Sequence, residues 1–141
     1  MGNYPQVATS SLVTSPVAEG LRAGLGYVFG TFGRYRVRLA QDGNDRIAAC
    51  RLRFNVFNVE KGEGLSSSYS TGLDQDRFDS VCDHLIVEDS EDGQVVGTYR
   101  MQPGFTAAAA FGYYSAQEFE FAPYECIRQQ VLELARISHQ D

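Results

Sequence analysis

The chemistry-bearing residues of this sequence fall into four clusters. Glu133-Leu134-Ala135-Arg136 puts two ionisable side chains into an otherwise apolar run. A buried charge without a partner costs several kcal/mol, so both need ion-pair partners or an active-site cavity. In a regular strand, residues three apart face opposite ways, whereas a bulge between them would bring both to one face. Asp74-Gln75-Asp76-Arg77-Phe78-Asp79, followed by Asp83, is dense in carboxylates. Its spacing does not fit an EF-hand calcium loop, which leaves a solvated acidic loop or a site wall. Arg53 and Phe57 stand four apart on one helical face, where the arginine either snorkels to water or lines a site. Arg100 shares a strand face with Val96 and Thr98, at a solvated edge or in a site.

Other enzyme signatures are missing. The sequence contains no P-loop, GxGxxG motif or nucleophile elbow, and His84 and His139 have no partner at metal-ligand spacing. Cys50, Cys82 and Cys126 are odd in number and form no CxxC pattern, which points to reduced thiols and indicates neither a disulfide framework nor a zinc site.

These clusters need elements to position them. Tyr35, Val37 and Leu39 alternate with Arg34, Arg36 and Arg38, as in a strand. Asp42-Gly43-Asn44 then opens an amphipathic helix of about four to five turns, with Ile47, Cys50, Phe54 and Phe57 at helical spacing until Gly62 and Gly64 end it. Residues 66–80 read as a polar loop. Two strands follow near 84–89 and 95–101, joined through Asp92-Gly93 as a hairpin. Short helices are expected over 105–110 and 122–130, around an irregular aromatic link, and 131–138 reads as a buried strand. Residues 1–33, rich in Ser, Thr and Gly, read as a loosely ordered arm, which leaves 34–141 as the folded domain.

The 141 residues, 43% hydrophobic and 21% charged, suit one globular domain. A net charge of −6 argues against nucleic acid as a partner. The charge is unevenly spread: residues 1–73 carry eight basic and five acidic side chains, and residues 74–141 carry four and thirteen. The two halves would attract each other on packing. No apolar run reaches the roughly 20 residues of a membrane-spanning helix, and the polar start is no secretory signal, so a cytoplasmic location is expected.

Taken together, RLRFNVF at 51–57, DRFDSVCDHLIV at 76–87, VVGTYRM at 95–101, YYSAQEF at 113–119 and LELARIS at 132–138 resemble the ornithine-lipid N-acyltransferases, often labelled hemolysin-like. A more distant similarity runs to the acyl-homoserine lactone autoinducer synthases and the N-acyl amino acid synthases. The resemblance implies an α/β (α+β) GNAT fold, a mixed central sheet flanked by helices. Against the autoinducer synthases, Arg53 and Phe57 fall on the N-terminal Arg and aromatic, and Asp76 and Asp79 on the paired aspartates. Arg100 falls on the strand arginine, and Glu133 with Arg136 on the ExxR pair.

The tryptophan usual in those synthases is absent, with Glu63 near its place, which speaks against lactone synthesis. Cys82-Asp83-His84 and Tyr114-Ser115 are more like the ornithine-lipid group. The implied reaction moves a fatty acyl group, 3-hydroxylated or not, from acyl carrier protein or CoA to the amine of an amino acid such as ornithine. No metal or redox cofactor is called for. Glu133, Arg136 and Arg100 would be catalytic, and Arg53, Phe57, Asp76, Asp79, Tyr114 and Ser115 would bind substrate. A lipid product would bring peripheral contact with the inner membrane. In the family the phosphopantetheine arm is held by elements after the fourth strand, so the chain is expected to end before the fold is complete. The alternatives are synthesis of an N-acyl amino acid or lactone signal, and an inactive fragment or acyl-binding module.

Overall fold

Val28–Phe32 (β1) and Tyr35–Leu39 (β2) form a hairpin whose two-residue turn begins at Gly33, where a φ of 62° suits glycine. The computed structural model describes residues 28–139. The domain therefore includes a strand that starts six residues before Arg34, and 28–33 is not part of an arm; residues 1–27 lie outside the described residues. Asp42 caps the following helix α1, Gly43–Arg53, by accepting the Asp45 N–H at 2.9 Å.

The expected single amphipathic helix is two segments, because a π-helical stretch, Phe54–Glu60, continues α1. Its buried face also differs from the expected one: Ala49, Cys50, Leu52, Arg53, Val56 and Asn58 are buried, while Ile47 is exposed. The polar segment after it contains two 3-10 turns, Ser66–Ser70 and Arg77–Ser80.

Asp83–Asp89 (β3) and Val95–Pro103 (β4) make the expected hairpin. Gly104–Ala109 is a short helix, α2. Two 3-10 segments, Tyr114–Gln117 and Ala122–Gln130, lead to the last strand, β5, Leu132–His139. The strands pair in chain order, β1-β2-β3-β4-β5. An α/β arrangement is as expected, but the anticipated mixed sheet is antiparallel in every pairing among the described residues.

Alternation along the strands gives the sheet two unlike faces. The face under α1 carries Arg36 and Arg38, then His84, Ile86 and Glu88, then Thr98, Arg100 and Gln102. α1 rests on β3, β4 and β5 across it. The opposite face is apolar, with Val37, Leu39, Leu85, Val87, Tyr99 and Met101 half-buried and Leu132 and Leu134 more than half exposed.

The two charge-biased halves meet in the sheet. Arg36 and Arg38 of β2 both donate to Glu88 of β3 at 2.7 Å, and Arg34 pairs with Asp89. No described helix is long and apolar enough to cross a membrane.

Candidate active site

The site is built where α1, the 74–80 segment, β4 and β5 converge. Arg53 leaves the last turn of α1 toward the sheet and is 1% exposed, so it does not snorkel to water. Its Nε donates to Asp74 Oδ2 at 3.1 Å; its Nη2 donates to the Asp74 carbonyl at 2.6 Å and to Asp79 Oδ1 at 2.8 Å. Asp74 and Asp79 are likewise buried, which removes the reading of a solvated loop.

The Asp76-x-x-Asp79 spacing has a structural use of its own. Asp76 Oδ1 accepts the Phe78 N–H and Asp79 Oδ2 accepts the Asp76 N–H, both at 2.8 Å, as a capping box on the Arg77–Ser80 turn. The turn thereby fixes two carboxylates toward the arginines. Arg100, also 1% exposed, donates from Nη1 to Asp76 Oδ1 at 2.7 Å and stands 3.2 Å from Asp79 Oδ1.

Burial works against these charges, yet the pairing wins. Desolvation would lower the Arg100 pKa, but the Asp76 hydrogen bond and the two carboxylate charges raise it above its usual value. Asp79 is pushed up by burial and pulled down further by Arg53, the Asp76 N–H and Arg100, so its carboxyl lies below the ordinary range. Both groups therefore keep their charge in spite of their burial.

On β5, the pairing with β4 slips between Thr98 and Arg100: Thr98 faces Ser138 and Arg100 faces Ala135, so Arg136 and Ile137 together oppose Tyr99. Arg136 sits in this bulge with φ 54°. Glu133, paired with Gln102, and Arg136, bound to Asp74, therefore meet the same face of the sheet. The Arg136 guanidinium lies 4.6 Å from the Phe57 ring centroid, and the π-helical segment sets that ring there.

Glu133 is 8% exposed and accepts the N–H groups of Tyr114 at 2.9 Å and Ser115 at 2.7 Å. These residues open a 3-10 turn whose free amides suit a carboxylate. The Tyr114 ring in turn covers Arg100 at 4.8 Å and meets Phe78 edge-on at 5.5 Å.

All nine residues singled out in the sequence are thus joined by contacts. Ser115 and Tyr114 bind Glu133; the Tyr114 ring lies on Arg100; Arg100 pairs with Asp76 and Asp79; and Asp79, Arg53, Asp74, Arg136 and Phe57 complete the run.

Two further participants have no individual role assigned by the sequence. Asp74 belongs to the acidic run but lies outside the Asp76/Asp79 pair, and membership of that run is its only signal. His84, isolated in sequence, is 2% exposed with Nε2 3.6 Å from Asp79 Oδ1. A cavity of about 130 Å³ beside it is lined by Ala40, Asp42, Arg46, Cys82 and Asp83. Among the described residues, no group of three or more His, Cys, Asp or Glu is placed to hold a metal ion.

Comparison with known proteins places the chain in a family. Residues 52–140 match the family model described as an acetyltransferase (GNAT) domain. The L-ornithine N(alpha)-acyltransferase of Brucella abortus (strain 2308) is 38% identical over 117 residues, covering 77% of this chain and 42% of the relative. That of Agrobacterium fabrum is 39% identical over 123 residues, 82% of this chain and 41% of the relative; that of Rhodobacter capsulatus is 34% identical over 108 residues, 72% and 42%. The chain spans about two fifths of the length of these curated relatives. No solved structure matches it. With its matched segment running from the end of α1 through the bulged fifth strand, the chain belongs to the GNAT acetyltransferase family.

Proposed function

We propose that this chain carries the acceptor side of an N-acyltransferase that moves a fatty acyl group from a carrier-protein thioester to the amine of an amino acid such as ornithine. The observation that carries this reading is the continuous contact run from Ser115 to Phe57, closed by a β5 bulge that puts Glu133 and Arg136 on one face. The names of the relatives supply the substrate class.

The chemistry is that of aminolysis. Glu133 takes a proton from the acceptor ammonium, directly or through water, and the freed nitrogen attacks the thioester carbon. The oxyanion that forms is met by main-chain N–H groups at the β5 bulge. The C–S bond then breaks, the nitrogen gives its second proton to the departing thiolate, and the proton held by Glu133 passes to water.

Arg100, held by Asp76 and Asp79, and Arg136 receive the carboxylate of the acceptor. In support, guanidinium nitrogens of both arginines are buried without a partner among the described residues. Acyl carrier protein is the proposed donor partner, with CoA as the alternative thioester. The ornithine-lipid reading stands ahead of signal synthesis because four relatives carry the ornithine name.

Lipid mass spectrometry of cells expressing this chain, or a version extended to the length of its relatives, tests the assignment. The expected result is a new N-acylornithine with the extended version. Soluble protein and charged carrier without any acyl-amino acid would contradict it.

A further inference from the structure

Arg136 is the one described non-glycine residue in the left-handed region. Side chains with a Cβ disfavour that conformation, so the surroundings must impose it. The Arg136 guanidinium is bound by the Asp74 carboxylate, faces the Phe57 ring, and is approached by the Tyr114 phenol.

Asp74 is the most firmly held of these neighbours. It is 1% exposed and fastened to α1 three times: its N–H donates to the Cys50 carbonyl at 3.0 Å, its carbonyl accepts Arg53 Nη2 at 2.6 Å, and Oδ2 accepts Arg53 Nε at 3.1 Å. The remaining bond of Oδ2 crosses to β5. Arg136 lies where the strand register slips, so its backbone angle and the bulge are one feature.

We propose that Asp74 is a positioning residue. From its fixed seat on α1 it holds Arg136 in the left-handed conformation and so sets the bulge that brings Glu133 and Arg136 to one face. The kinetic consequence rests on the acyltransferase reading; the conformational one does not.

Asp74→Asn keeps the shape and removes the charge. The amide oxygen would keep the place of Oδ2 and still face Arg53 and Arg136, but without the negative charge that holds the Arg136 guanidinium. The variant is expected to move the backbone ¹³C shifts of Arg136 out of the left-handed range and to speed amide exchange over 135–138 by about tenfold. In the acyl-transfer assay, kcat should fall about tenfold or more and the KM for ornithine should rise, because Glu133 and the carboxylate-binding Arg136 are both misplaced.

Should Asp74→Asn fail to fold, Arg136→Gln removes the guanidinium of the same ion pair, from its less buried side, and is expected to release the bulge as well. Unchanged backbone shifts at position 136 and unchanged exchange over 135–138 would overturn the proposal. So would a released bulge with unchanged kcat in an active enzyme. If the unsubstituted protein transfers no acyl group, the function assigned above fails, while shifts and exchange still decide the role of Asp74.

Discussion

His84 shows how the cluster acts on single residues. Burial is the main force lowering its pKa, the Arg53 and Arg100 charges act in the same direction, and Asp79 opposes them without prevailing. In the unfolded chain the imidazole takes up its proton near pH 6.5, roughly a model-peptide value, while in the folded protein it resists protonation to lower pH. Proton binding by the unfolded state then exceeds that of the folded state, so this part of the stability is complete above about pH 6.5 and is lost as pH falls below it. Urea midpoints should therefore drop between about pH 7.5 and 5.5, and His84→Gln should flatten that slope. An equal slope in the variant would show that His84 is not its source. In sequence His84 has no partner at any regular spacing, so only the fold could bring it to Asp79. Glu133 and Arg136 were legible because burying charges demands partners, whereas Arg53, Asp76, Asp79 and Arg100 left solvated readings open and were singled out through the family resemblance.

Elements were legible where periodicity was unambiguous. The β3–β4 hairpin follows from alternation around Asp92-Gly93, and Gly93 does take a φ of 74°. β1 was not legible because Gly30 interrupts a five-residue run whose partner lies only two residues on. The shift from α to π winding at Phe54 leaves no compositional mark, since Phe54 and Phe57 fit either period. The bulge in β5 follows from the three-residue spacing of two charges that both had to be satisfied. Packing between elements gives a sharp prediction at Gly104, where α2 starts under the 122–130 segment. A Cβ there would lie 2.2 Å from the Arg128 carbonyl oxygen and 2.6 Å from the Tyr113 hydroxyl. Neither that backbone nor the Tyr113 ring, stacked on Phe121, can yield cheaply. Gly104→Ala should cost about 1–3 kcal/mol, seen as a lower midpoint in chemical unfolding. A midpoint equal to that of the unsubstituted protein would mean that the segment moves aside freely.

For the whole molecule, the two faces of the sheet divide the work. One face holds α1 and the charged cluster; the other is apolar and carries Leu132 and Leu134 at its β5 edge. The uneven charge of the two halves is resolved by pairs that cross between them, from Arg34, Arg36 and Arg53 on one side to Asp89, Glu88 and Asp79 on the other. Five ordered motifs made the family recognisable although the chain spans about two fifths of its relatives' length. Under the proposed function, the Glu133 side of this cluster performs acyl transfer. Its most direct test is single-turnover transfer from acyl carrier protein to ornithine, in protein extended to the relatives' length, comparing Glu133 with Glu133→Gln. A loss of about 10²-fold or more in rate for the variant, with folding intact, is the predicted result. Equal rates in the two proteins would contradict the account.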